Sequence, residues 1–264
     1  MEDTRTKMLN DFYSAIDEDT RLTGSRHGQL EYAVTMEYVH RYAGKGAKIL
    51  EIGAGTGRYS IALAREGFDV TAVELVGSNL DVLRQNAAGI PNICPMQGDA
   101  LDLRALADGT FDVTLVFGPL YHLYEPADVH RAIDEAIRVT KPGGVLLFAF
   151  LSVYAVMFAN YFDGTWRAGE ELNFTADYRV RHLEGQLFTG YDIGEFEHLF
   201  DGKPIEHLTT AGVDWLIEAI ERRPDFAIKD EDFAGFVRWY LAAGEKRELL
   251  GANNHLLYIA KKTV

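Results

Sequence analysis

Short apolar stretches recur along the first 150 residues at the spacing of strands separated by helices. The stretches that predict buried strands are residues 48–52, 68–73, 93–97, 111–117 and 145–150. Between them, apolar side chains return every three or four positions, which predicts helices at residues 59–66, from 78 onward, and at 128–140. This alternation predicts a doubly wound α/β fold, in which helices cover both faces of a mainly parallel sheet.

The two ends of the chain depart from this alternation. Residues 8–43 have a helical pattern with a break at 23–25. Beyond residue 151, the pattern predicts helices at 192–200, 214–223 and 230–247, and strands at 204–209 and 255–260. We therefore expect one domain whose core comprises residues 45–151, 192–212 and 252–264. The remaining parts are predicted to form a lid over the carboxyl edge of the sheet, namely an N-terminal helical part, 1–44, and two insertions, 152–191 and 213–251.

Composition and charge narrow the classes of partner. The 264 residues include 26 Lys and Arg against 40 Asp and Glu, which gives a net charge of −14. An acidic chain repels phosphate backbones, so we expect no nucleic acid partner. Cys94 is the single cysteine, which excludes a disulfide within the chain and a cysteine-rich zinc site. No signal peptide is evident, and the longest apolar run, residues 145–159, is short for a membrane span, so we expect a soluble, cytoplasmic protein without membrane contact.

A glycine-rich turn carries the clearest chemical signal. Gly53, Gly55 and Gly57 follow the first strand and precede a helix, where glycine permits positive φ and close approach of a ligand. Glu74 ends the second strand and could accept hydrogen bonds from both hydroxyls of a ribose. Asp99 follows the third strand and could hold the amine of an adenine. Alone, each acid could equally be a solvated strand end or a turn residue.

The order of these features resembles the class I S-adenosylmethionine-dependent methyltransferases. The resemblance rests on residues 51–57, 73–75, 98–100, 111–118 and 139–144, which together cover roughly residues 45–150. The segment 255–261 is similar to the last strand of that family. The resemblance implies a seven-stranded sheet whose last strand is antiparallel, with S-adenosylmethionine as the cofactor.

The resemblance also implies roles for particular residues. The glycines of the turn would contact the amino acid part of the cofactor, Glu74 its ribose, and Asp99 its adenine. The residues that flank these contacts, and are counted in the same candidate site, are Ala54, Leu75, Ala100 and Phe117. In related enzymes an N-terminal helical segment folds over the cofactor, which makes Tyr13 and Arg26 candidates for its carboxylate; a solvated surface helix is the other interpretation.

The loop after the fourth strand contains the candidate catalytic residues, Tyr121, His122 and Tyr124. In the resembled family this loop lies beside the transferred methyl group. His122 could serve as a general base near neutral pH, or it could pack against the cofactor or cap the next helix. Transfer of a methyl group from a sulfonium needs alignment more than a nucleophile, so no metal ligands are expected.

Two other functions compete with methyl transfer. A nicotinamide-dependent oxidoreductase would need its third glycine three positions after Gly55, where Arg58 stands instead. A protein that binds the cofactor without catalysis would need a degraded site, and no degradation is visible. The acidic charge and the aromatic insertions favour a small-molecule acceptor, although the fold itself does not select one.

Overall fold

The computed structural model describes residues 4–264, which form an α/β domain around one twisted sheet. Seven strands follow one another across it in the order β3-β2-β1-β4-β5-β8-β7. Their bounds are β1 Lys48–Ile52, β2 Asp69–Glu74, β3 Ile93–Gln97, β4 Phe111–Val116, β5 Thr140–Ser152, β7 Ile205–Gly212 and β8 His255–Lys262. A two-residue strand, β6 (Gly190–Tyr191), adds to the end of β5.

Strand directions confirm the predicted fold class. Strands β1 to β5 run parallel to one another. Strand β8 lies antiparallel between β5 and β7, with Val145 opposite Lys261 and Gly212 opposite Leu256. The carboxyl ends of β1, β2, β4 and β5 therefore meet the amino end of β8 at one edge of the sheet.

Helices cover both faces of the sheet and its carboxyl edge. The helices of the first part are α1 Thr4–Tyr13, α2 Arg26–Tyr42, α3 Arg58–Arg65, α4 Gly77–Asn86 and α5 Pro126–Val139. Those after β5 are α6 Val153–Phe162, α7 Trp166–Asn173, α8 Ile193–His198, α9 Ile217–Glu221, α10 Asp230–Ala243 and α11 Arg247–Leu250. Short 3-10 turns occupy Glu18–Thr20 and Pro119–His122.

The hydrophobic core has a layer on each side of the sheet. In β1, Ile49 packs into one layer and Leu50 into the other, and both are fully buried. This explains why apolar residues occupy neighbouring positions in β1, since a central parallel strand has no solvent face. On α5, Val129, Ile133 and Ile137 stand four residues apart and are buried in the layer that contains Leu50.

Element bounds differ from the sequence predictions where the backbone turns tightly. The predicted helix at 230–247 is divided because Gly244 follows α10, and its carbonyl accepts from the amide of Gly212 in β7 at 3.0 Å. The predicted break at 23–25 is wider, since residues 14–25 separate α1 from α2. Strand β5 is longer than predicted and includes Pro142, which lies within an irregularity in its pairing with β4. The division into core and lid stays a prediction.

Candidate active site

The glycine turn lies between β1 and α3 and forms the floor of the candidate site. Gly53, Gly55 and Gly57 all have positive φ, of 81°, 54° and 91°. A Cβ on Gly53 would lie 2.8 Å from the carbonyl oxygen of Phe117, so only glycine lets β1 approach the loop after β4 this closely. The turn is held by the amides of Gly53 and Ala54, which both donate to the carbonyl of Val73 at 2.9 and 3.0 Å.

Glu74 is fixed at the end of β2 with its carboxylate against this turn. Its Oε2 accepts from the Gly55 amide at 2.7 Å and its Oε1 from the Val76 amide at 2.8 Å. The residue is 5% exposed, and this burial raises the pKa of its carboxyl above the ordinary value. Each oxygen keeps a lone pair beyond its backbone donor, so two vicinal hydroxyls could donate to it.

Asp99 lies farther along the same edge and is engaged by the N-terminal helix. Its Oδ1 accepts from the Leu101 amide at 3.0 Å, and its Oδ2 forms an ion pair with the guanidinium of Arg5 on α1. An adenine amine bound at Asp99 would therefore meet the Arg5 side chain. Sequence reasoning did not anticipate Arg5.

A cavity of about 530 Å³ opens above the turn and brings most of the predicted site residues together. The predicted residues that line it are Tyr13, Gly53, Ala54, Gly55, Glu74, Leu75, Asp99, Ala100, Phe117, Tyr121 and His122. Of the predicted site residues, all within the described range 4–264, the structure leaves Gly57, Arg26 and Tyr124 outside this lining.

These three residues have identifiable positions elsewhere. A Cβ on Gly57 would lie 2.2 Å from Cδ1 of Leu83, so this glycine serves the packing of the turn against α4. The guanidinium of Arg26 lies 4.6 Å from the ring centroid of Phe233 and pairs with Asp230, which ties α2 to α10. Tyr124 follows a buried leucine in extended backbone, where successive side chains point in opposite directions.

His122 lines the cavity with both ring nitrogens engaged. Its Nδ1 lies 2.6 Å from the carbonyl oxygen of Leu187 and its Nε2 lies 3.0 Å from the hydroxyl of Tyr13. Because a carbonyl only accepts, Nδ1 carries the proton and Nε2 accepts from Tyr13. Burial lowers the pKa of His122 to about 4. A base at this position would therefore be neutral at pH 7 but weak.

Tyr121 lies beside His122 in the lining of the cavity. Its backbone carbonyl accepts from the Thr189 amide at 2.8 Å, which ties the loop after β4 to the segment before β6. Burial raises the pKa of its phenol, so the hydroxyl stays protonated. Its ring centroid lies 6.4 Å from that of His255, which lines the same cavity.

A cluster of charged side chains around His255 escaped the sequence analysis. Arg21 donates to both carboxylate oxygens of Glu31, at 2.8 and 3.1 Å, and through Nε to Glu18 at 2.9 Å. Burial alone would raise the pKa of Glu31, but Arg21 and His255 outweigh it and lower that pKa to about 2. A carboxylate on a helix between buried apolar residues, Leu30 and Val34, was the available signal.

Asp214 and His255 form the second half of this cluster. Asp214, fully buried after β7, accepts from Nδ1 of His255 at 2.7 Å and from the amides of Asn254 and His255 at 2.9–3.1 Å. Ligand atoms of Glu31, Asp214 and His255 lie within 4.8 Å of one another, as in a metal site. Here, however, Arg21 holds both oxygens of Glu31, and backbone amides hold Asp214.

Comparison with known proteins decides the family of this domain. Residues 50–148, which run from within β1 into β5 and include the glycine turn, match the family model of a methyltransferase domain. The segment 50–148 therefore belongs to a methyltransferase domain. The sheet order and the antiparallel β8 agree with this family, as expected from the sequence.

A curated relative of the methyltransferase domain is the demethylmenaquinone methyltransferase of Clavibacter sepedonicus. It is 36% identical over 146 residues, which cover 55% of this chain and 57% of that protein. The chain spans about half the length of this relative and 37% of another curated relative, an uncharacterised methyltransferase of Mycobacterium tuberculosis.

Solved structures share the fold at low sequence identity. A methyltransferase of Thermotoga maritima, described as a possible histamine N-methyltransferase, superposes with a TM-score of 0.62 at 16% identity and covers 98% of this chain and 100% of its own. The phosphoethanolamine N-methyltransferase 1 of Haemonchus contortus, in complex with phosphoethanolamine and S-adenosylhomocysteine, gives a TM-score of 0.61 at 15% identity, over 97% of this chain and 48% of that one. Among residues 4–264, no helix has the length and apolar character required to cross a bilayer.

Proposed function

We propose that this protein transfers a methyl group from S-adenosylmethionine to a small organic acceptor bound in the cavity. The observation that carries the proposal is the carboxylate of Glu74, which two backbone amides fix beside the glycine turn. Beyond its two backbone donors, this buried carboxylate presents lone pairs to the cavity, where the hydroxyls of a ribose can donate to them.

The residues on the cavity floor fit the cofactor. Glu74 would hold the ribose hydroxyls, Asp99 the adenine amine after Arg5 moves aside, and the glycine turn the amino acid part. The bound cofactor supplies a methyl group already activated by its positive sulfur. The chain contributes alignment and exclusion of water, and proximity of this kind contributes about 7–11 kcal/mol to such reactions.

The acceptor side of the cavity supports a partly apolar substrate. Its apolar lining comes from the ends of β5 and β8, from α6 and from nearby segments, and comprises Ala149, Leu151, Val156, Ala159, Phe188, Val213 and Leu257. The Clavibacter relative is named for demethylmenaquinone, which supports a small-molecule acceptor, and the net charge of −14 disfavours a nucleic acid. A cytoplasmic location belongs to the same proposal.

Calorimetry with S-adenosylhomocysteine tests the cofactor site. Glu74→Ala removes two charge-assisted hydrogen bonds to the ribose, so we expect binding weaker by about 2–3 kcal/mol, or roughly 30- to 150-fold. Asp99→Asn, which keeps the side-chain shape, should weaken it less. Asp81→Asn, on the exposed face of α4, serves as the matched control. Unchanged affinity in Glu74→Ala would refute the assignment, and tight binding of NADH instead would favour the oxidoreductase.

A further inference from the structure

The pair formed by Asp214 and His255 is aimed at the acceptor side of the cavity. His255 lines the cavity, whereas Asp214, which holds its Nδ1 at 2.7 Å, does not. The edge of the ring that carries Nε2 therefore faces the cavity. Within residues 4–264, no side chain or backbone group is hydrogen-bonded to that Nε2.

The backbone around Asp214 keeps this pair in place. The next residue, Trp215, has a positive φ of 47°, which a non-glycine residue adopts only under constraint. The side chain of Asn253 supplies the constraint, since its Oδ1 accepts from the amides of Asp214 and Trp215 at 3.2 and 2.7 Å. Asp214 is thus fixed from both sides and orients the imidazole.

The charges around His255 favour its protonated form. The ionisable groups that face it are Asp214 behind, Glu31 on α2, Arg21 and Glu18 before that helix, and the phenol of Tyr121. Burial and Arg21 disfavour the imidazolium, but Glu31 and the bond to Asp214 outweigh them and raise the pKa of His255 to about 9. At neutral pH, Nε2 therefore carries a proton and can only donate.

We propose that His255 binds the reacting oxygen of the acceptor as an anion, so that the substrate is an oxygen acid such as a phenol or an enol. This inference rests on the proposed function. The acceptor loses its proton to solvent on ionising, and Nε2–H of His255 donates to the oxygen anion. The anion then forms a carbon–oxygen bond to the methyl group as the carbon–sulfur bond breaks, which leaves a neutral ether and a neutral thioether.

The same geometry disfavours an amine acceptor. A free amine must offer its nitrogen lone pair to the methyl group, and a donor at Nε2 competes for that lone pair. A protonated amine would meet the positive imidazolium at close range. Among acceptors of similar shape, the site should therefore prefer acidic hydroxyls to amines.

Two probes of matched shape test this preference, 4-nitrophenol and 4-nitroaniline. Each is titrated into the full chain saturated with S-adenosylhomocysteine, with His255→Gln as the variant and the exposed His40→Gln as its control. We expect the wild type and His40→Gln to bind the phenol ~10-fold or more tightly than the aniline, and His255→Gln to lose that preference. Bound phenolate should show as increased absorbance of the anion at a pH where the free probe is still protonated.

A pH series separates orientation by Asp214 from a purely structural role. The preference for the phenol should fall as the pH rises through about 9, where His255 loses its proton. In Asp214→Asn, the preference should fall at a lower pH than in the wild type. Asp214→Glu keeps a carboxylate, so the fall should return to about the wild-type pH. Histidine side-chain NMR of the same variants follows the titration of His255 directly, with thermal unfolding as the check on folding.

Several results would overturn the proposal. These are binding of neither probe, equal binding of both probes by the wild type, or a preference that survives His255→Gln. Failure of the proposed function has a different signature, since the wild type would then not bind S-adenosylhomocysteine at all. The probe titrations are therefore repeated without S-adenosylhomocysteine, so that binding of the probes is measured separately from binding of the cofactor.

Discussion

The imidazole of His122 is held by two partners that fix its protonation state. Nδ1 donates to Leu187 and Nε2 accepts from Tyr13, and burial lowers the pKa of the ring from its ordinary 6.5 to about 4. Protonation of Nε2 would turn an acceptor into a donor that faces another hydroxyl. Should His122 serve as a base, the acidic limb of the pH–rate profile would lie near 4 instead of near neutrality.

This lowered pKa makes the stability of the protein pH-dependent. The unfolded chain takes up a proton near pH 6.5, whereas folded His122 resists until about 4, so its contribution is full above 6.5 and is lost as the pH falls towards 4. Between pH 7 and 4.5, the wild type should lose about 2–3 kcal/mol more of its free energy of unfolding than His122→Asn does. Urea unfolding at both pH values measures the difference, and an equal loss in the two proteins would contradict it.

At the level of single residues, the sequence indicated the glycine turn and the nearby acids better than the charged residues around His255. Gly53, Glu74 and Asp99 are identifiable because strand ends and glycine turns leave local signals. His255 and Asp214 meet only because β7 and β8 pair, and nothing within either segment reports that pairing. Burial likewise has no local signal, so the sequence left open whether His122 is a base near neutral pH or a packing residue, and its surroundings weaken it as a base.

Among the elements, helix α1 belongs to the N-terminal part that is predicted to cover the site. It crosses the cavity and is fastened at its two ends, by Arg5 to Asp99 and by Tyr13 to His122. Both contacts lie on residues that the cofactor or the acceptor would approach. The predicted N-terminal lid has this geometric support, and whether it opens stays a prediction.

Removal of one fastening should speed exchange of the cofactor. Arg5→Met breaks the ion pair to Asp99, so we expect S-adenosylhomocysteine to associate and dissociate faster, with Kd changing less than either rate. Surface plasmon resonance measures both rates, and Asp11→Asn, on the exposed face of the same helix, is the control. Unchanged rates in Arg5→Met would show that α1 does not gate the cavity.

Element prediction succeeded where burial determines the sequence pattern. Strand β1 and helix α5 were predicted because burial on two faces or on one face leaves a distinct periodicity. The segment from α6 to α7 gave no such pattern, because its aromatic side chains are divided between contacts and solvent: Tyr161 is 66% exposed, whereas Met157 of the same helix is buried.

For the whole molecule, the excess of acidic side chains is the dominant electrostatic feature. A net charge of −14 destabilises the compact state by self-repulsion, which salt screens. Most ion pairs among the described residues lie at the surface, where each adds little to the free energy of unfolding. Salt that screens these pairs therefore removes little stability.

Added sodium chloride should therefore stabilise the protein. Relief of repulsion worth about 1 kcal/mol would raise the Tm by roughly 2–4 °C between low and high salt. Differential scanning calorimetry at both salt concentrations measures the change. A fall in Tm would mean that the surface ion pairs outweigh the net repulsion.

The central position of β8 has a consequence for the order in which the protein folds. This strand, at residues 255–262, inserts between β5 and β7, so Val145 must await a partner more than a hundred residues later in the chain, Lys261. Strands β1 to β5 can pair during synthesis while that edge of the sheet is still open. His255 is the first residue of β8, and it reaches Glu31 and Asp214 only at insertion. The acceptor side of the cavity is thus completed in the same step that closes the sheet. A chain synthesised only as far as β5 would have the glycine turn and Glu74 but would lack His255, the histidine that we assign to the substrate.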